Sequence, residues 1–115
     1  GAGISTLVGF KADQVTFNGK PRDIYESSPD VGRAFCSKCG TPLTWEGEGG
    51  DIGPIVEIHI GTFDSPHIFV PTSHAFYNER LPWVDKPEQL PRYEGFPGDS
   101  PILQHGPTKE GPLKA

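Results

Sequence analysis

The sequence predicts an all-β domain of roughly six to eight short strands, with very little helix and a proline-rich C-terminal arm. Three observations carry that expectation. Glycine and proline number 15 and 13 among 115 residues, together roughly twice their usual share, which breaks long helices and multiplies turns. Apolar residues make up 34% of the chain, enough for a modest core, and the β-branched and aromatic ones are spread through its first two thirds. The clearest periodicity is a two-residue alternation in IVEIHIGTF (55–63), the pattern of a strand with one face covered.

Taken in order, ISTLVGF (4–10) is rich in β-branched and aromatic residues and reads as a strand. Val15 and Phe17 alternate against Thr16, and Asn18-Gly19 supplies a positive-φ turn before a second strand from Arg22 to Glu26, which predicts a hairpin. SSPDVG (27–32) breaks the chain. RAFC (33–36) is a short strand entering the segment with both cysteines, and PLTWE (42–46) is a strand leaving it. GEGGDIGP (47–54) is a loop by composition. In the strand that follows, Val56, Ile58 and Ile60 fall on one face, Glu57 and His59 on the other. DSPHIFVPTSHAFY (64–77) reads as a turn and a short strand around His74 to Tyr77. From residue 81 proline recurs every few residues, predicting an extended arm with at most one helical turn near 86–90 and a frayed last stretch that runs out toward a partner chain. No internal repeat is present. The expected organisation is a domain over 1–95 and a Pro/Gly-rich tail over 96–115.

Charge and cysteine usage exclude several function classes. The formal net charge of −5 leaves no basic surface for a phosphate backbone, so nucleic acid is excluded as a partner. No apolar run approaches a membrane span. The chain opens on Gly with residues that already read as structure, which predicts that it starts inside a longer protein. Its two cysteines form one C-x-x-C rather than a disulfide framework, which predicts a reducing, cytoplasmic setting.

Cys36 and Cys39, followed by Gly40, have the spacing of half a tetrahedral zinc site, with Ser37 and Gly40 small enough to let the sulfurs converge. A redox dithiol is the second reading, although such pairs usually open a helix and this one leads into a strand. Two ordinary buried thiols are the third. Further ligands could come from His59, His67, His74 or His105, but none has H-x-x-H or H-x-C spacing, and each alone reads as a solvated or hydrogen-bonded histidine. In GTFDSPHIFVPTSHAFYNERLPW (61–83), Thr62, Asp64, His74 and Arg80 could line a polar pocket beside Phe76, Tyr77 and Trp83. For Asp64 and Trp83 the plainer account is a side-chain-bonded turn and a core plug.

GAGISTLVGF, YESSPDVGRAFCSKCGTPLTW, IHIGTFDSP and PTSHAFYNERLPWV, in that order and spacing over residues 1 to about 90, resemble the glutathione-dependent formaldehyde-activating enzyme family, which also contains centromere protein V. The resemblance implies a β-tent of stacked antiparallel sheets pinned by zinc. It implies a structural zinc held by an early C-x-C pair together with Cys36 and Cys39, and a catalytic zinc held by another early cysteine cluster. Both early clusters would precede Gly1, so this chain is expected to carry a structural half-site with weak zinc affinity, completed if at all by a neighbouring chain, a histidine or water. An exposed sheet edge is expected to pair with a second copy as a homodimer.

The implied activity is that of a zinc-dependent carbon–sulfur lyase acting on the glutathione–formaldehyde adduct or a similar small thiol conjugate. This chain is expected to be inactive, or nearly so. Phe10, Thr62, Asp64 and His74 are the candidate pocket residues, and the competing reading is a non-catalytic zinc-knuckle scaffold or interaction module.

Overall fold

A computed structural model describes residues 2–105. The chain divides into two compact units, Gly1–Ser73 and His74–Ala115. The fold is all-β as expected: antiparallel sheets and short 3-10 turns, with no α-helix among the described residues. Accordingly, no helix among them is long and apolar enough to cross a membrane.

The first unit is built on one sheet of β1 (Leu7–Lys11), β2 (Asp23–Ser28), β3 (Val31–Phe35), β4 (Pro42–Glu48) and β5 (Pro54–His59), in the order β1-β5-β4-β3-β2. Strands β2 to β5 form a meander, and β1 crosses back to cover the far side of β5. The register sets Val8, Ile58, Thr44, Ala34 and Ile24 abreast. Two residues along, Phe10, Val56, Glu46 and Gly32 are abreast in the same way. Rows two residues apart share a face, and this face holds the buried residues Ala34, Thr44 and Val56. The row between them, Gly9, Glu57, Trp45, Arg33 and Tyr25, belongs to the opposite face.

Strands form at the expected places near 33–36 and 42–46 and within 4–10 and 55–63. Strand β1 begins only at Leu7, however, and β5 ends at His59, where Ile60–Thr62 turns into a 3-10 helix that takes Ile60 out of the strand. The first hairpin does not agree with the sequence reading. Strand β2 pairs with β3 through Pro29-Asp30, not with residues 15–17. Proline presets φ at the first turn position and Asp30 takes the left-handed region at φ 61°, a conformation that Asp tolerates better than most residues. Gly19 does adopt a positive φ of 85°. The chain before it, however, forms a 3-10 turn, Ala12–Gln14, and irregular backbone, because Arg22 is drawn to Glu46 of β4 and Phe17 lies under the Arg22 guanidinium.

Further corrections fall in the second unit. No strand forms at 74–77. Phe76 sits in the left-handed region at φ 54° and leads into a 3-10 turn, Tyr77–Glu79. The helical turn expected at 86–90 lies instead at residues 81–86, closed by Val84 N–H to Leu81 C=O and Lys86 N–H to Trp83 C=O. Pro87 disfavours helical backbone at Lys86 and ends it there. Trp83 is 58% exposed rather than a core plug. The arm contains an antiparallel ribbon of β6 (Pro91–Tyr93) and β7 (Ile102–His105). The expected fraying of the chain end concerns residues 106–115, outside the described residues.

Candidate thiol knuckle and adjoining cavity

The β3–β4 connection closes on itself. Cys36 N–H donates to Thr41 C=O at 2.9 Å, and Gly40 N–H to Cys36 C=O at 2.7 Å, around a turn at residues 37–39. Gly40 takes φ 78°, which a side chain would oppose. Both cysteines are free thiols, Cys36 half-buried and Cys39 exposed. Cys39 Sγ lies 3.0 Å from Thr41 Oγ1. That hydroxyl, then the Thr41 backbone, then the Cys36 thiol hold the Cys39 thiol below the usual cysteine range, since hydrogen bonds to the ionised form favour it.

The pair supplies two of the four donors that a closed tetrahedral zinc site needs. Among the described residues, no group of three or more His, Cys, Asp or Glu side chains could hold a metal ion. The described residues therefore fit half of such a site, not the whole.

A cavity of about 630 Å³ opens at the same end of the sheet, where β3 and β5 finish and β4 begins. Gly40 and Pro42 of the knuckle line it, together with Thr6, Tyr25, Arg33, Phe35, Thr44 and His59. Its lining includes an arginine and a histidine but no aspartate or glutamate, in a chain of net charge −5. That local sign inversion favours an anionic occupant. Arg33 Nε donates to Ser27 Oγ at 3.1 Å, holding the guanidinium near the β2–β3 turn.

Phe10 is half-buried on β1, its ring 6.3 Å from Phe63, which in turn lies 4.5 Å from Phe69. Thr62 ends the 3-10 turn Ile60–Thr62 and is exposed; Asp64 is exposed in the bend beyond it. His74 opens the second unit, exposed, with its ring 5.4 Å from that of Tyr77. None of these four lines the cavity, although Ile60 and Gly61 do. His59, noted for its place on the polar face of β5, is at the cavity. Arg33 and Thr41 were not singled out. The available signal for Arg33 was a cation three residues before a thiol pair in an acidic chain, and for Thr41 a hydroxyl two residues after a cysteine.

The family model described as glutathione-dependent formaldehyde-activating enzyme matches residues 1–79. The chain belongs to that family. The matched span contains the knuckle, every residue lining the cavity and all of β1 to β5. Membership in the glutathione-dependent formaldehyde-activating enzyme family thus rests on the sheet unit. The β6–β7 ribbon lies beyond the matched residues. No curated protein and no solved structure gives a significant match to the chain.

Proposed function

We propose that this chain is a carbon–sulfur lyase-type family member that takes the glutathione–formaldehyde adduct, or a similar small thiol adduct, into the cavity beside the knuckle. The observation that carries this reading is the cavity's charge. Glutathione bears two carboxylates and one ammonium group, so it matches a lining with Arg33 and His59 and no acidic residue. A volume of about 630 Å³ falls in the range of small-molecule sites. In this reading Arg33 receives a carboxylate through paired N–H donors, and Tyr25 supplies a hydroxyl for the peptide groups.

The zinc dependence proposed for the family chemistry reaches this chain only as the half-site at Cys36 and Cys39, whose remaining donors would come from outside the described residues. Turnover by this chain alone is expected to be low. The same half-site favours the second reading, a non-catalytic scaffold in which the knuckle orders the sheet end. Strands β1 and β2 are the outer strands of the sheet, and pairing of β2 with a second copy would give the proposed homodimer.

The deciding experiment is a calorimetric titration with S-methylglutathione, a stable adduct mimic, and with its dimethyl ester. The free acid should bind and the ester should bind at least about tenfold more weakly, with Arg33→Ala causing a similar loss, as expected for a charged hydrogen bond. Equal binding of acid and ester would remove the charge argument, and no binding of either would leave the scaffold reading.

A further inference from the structure

The four arginines of the chain are not held alike. Arg22, Arg80 and Arg92 are each paired with a carboxylate, on Glu46, Asp85 and Glu88. Arg33, the arginine that lines the cavity, makes no ion pair among the described residues. Its Nε donates instead to a neutral oxygen, Ser27 Oγ, at 3.1 Å. A hydroxyl orients a guanidinium without cancelling its charge, whereas a carboxylate does both.

The backbone explains how Ser27 comes to be there. The β2–β3 register sets Tyr25 opposite Arg33 and Glu26 opposite Gly32, then shifts, so that Ser28 faces Val31 and Ser27 is left without a partner. Such a bulge bends the strand and re-aims a side chain. Pro29 and Asp30, the latter at φ 61°, close the turn immediately beyond it. Arg33 thus has Tyr25, another cavity residue, directly across from it, and Ser27 two residues further along β2. With Nε occupied, the donors left for a ligand are the terminal Nη1 and Nη2 groups, a fork that matches one carboxylate.

We propose that Ser27 is a positioning residue for carboxylate recognition in the cavity: its hydroxyl takes the Arg33 Nε–H and leaves the charged Nη pair for the ligand. This rests on the reading of the cavity as a site for a small thiol adduct, and it names how the adduct's carboxylate is selected. Ser27 acts through Arg33 and touches no ligand itself.

The test titrates the full chain with S-methylglutathione and with its dimethyl ester, for wild type, Ser27→Ala, Ser27→Thr and Ser27→Asp. Ser27→Ala should weaken binding of the acid about threefold and leave the ester unchanged, since only a carboxylate uses the fork. Ser27→Thr keeps the hydroxyl and should bind the acid as wild type does. Ser27→Asp should pair with Arg33 and lower the affinity for the acid about tenfold, to that of the ester. In an Arg33→Ala background, Ser27→Ala should have no further effect. The proposal is overturned if Ser27→Ala weakens acid and ester equally, which marks a purely structural role, or if Ser27→Ala or Ser27→Asp binds the acid as wild type does. The cavity reading survives those failures whenever wild type prefers the acid and Arg33→Ala loses the preference. A wild type that binds neither compound overturns both.

Discussion

Glu46, in the middle of β4, holds Arg22, which lies 24 positions earlier in the chain and just ahead of β2. Arg22 Nε donates to Glu46 Oε2 at 3.0 Å, and Thr44 Oγ1 donates to the same oxygen at 2.7 Å. The guanidinium carbon lies 3.5 Å from the centre of the Phe17 ring. One carboxylate thereby fastens the irregular segment before β2 to the buried face of the sheet.

Removing that carboxylate should loosen the segment. Glu46→Ala leaves the half-buried Arg22 without its partner, and the expected loss is about 1–3 kcal/mol, the range for a hydrogen bond to a charged group. Urea unfolding of the two proteins measures it. A midpoint unchanged from wild type would show that the pair contributes nothing net.

The same group makes stability depend on pH. The Arg22 hydrogen bond, opposed by burial and aided by Thr44 and the Arg22 charge, holds Glu46 below its ordinary value of 4.5. A depressed carboxylate contributes its stability in full above the unfolded value, and the contribution is lost as pH falls through the lower folded value. The urea midpoint should therefore drop in acid below about pH 4.5, and Glu46→Gln should flatten that part of the drop. An identical acid profile in the variant would refute the assignment.

The Thr41 hydroxyl is the first cause of the acidified Cys39 thiol. Thr41→Val should raise the pH midpoint of Cys39 alkylation by iodoacetamide, while Thr41→Ser, which keeps the hydroxyl, should stay near wild type. Equal midpoints for Val and Ser would mean that the 3.0 Å contact does not stabilise the thiolate.

Two turn positions should respond oppositely to a Cβ. Gly40→Ala forces a side chain onto φ 78° and should cost about 1 kcal/mol. Asp30→Gly relieves a non-glycine residue at φ 61° and should be neutral or stabilising by a few tenths of a kcal/mol. Thermal midpoints of both variants check this; a Gly40→Ala protein as stable as wild type would contradict the knuckle geometry.

Much of the local structure was readable from residue order. The alternation in 55–63 marked β5, and the spacing of Cys36 and Cys39 around small residues marked a closed loop before its backbone hydrogen bonds were seen. The Asn18-Gly19 signal was also correct as a turn, with Gly19 at φ 85°. It misled because a turn reports that the chain reverses and says nothing of what the following strand will meet. The candidate residues Phe10, Thr62, Asp64 and His74 came from a chain segment and a resemblance, whereas the cavity draws on residues from four separate strands and the segment ahead of β1.

Period-two hydrophobicity, turn residues and thiol spacing act over a few residues, so they could be read before any coordinates: short strands, no long helix, one knuckle. The pairing of β1 with β5, the capture of Arg22 by Glu46 and the gathering of Arg33 and His59 around one cavity join residues far apart in the chain. Such contacts are settled by which faces bury each other once the sheet has formed. No local preference encodes them, and only the folded chain revealed them.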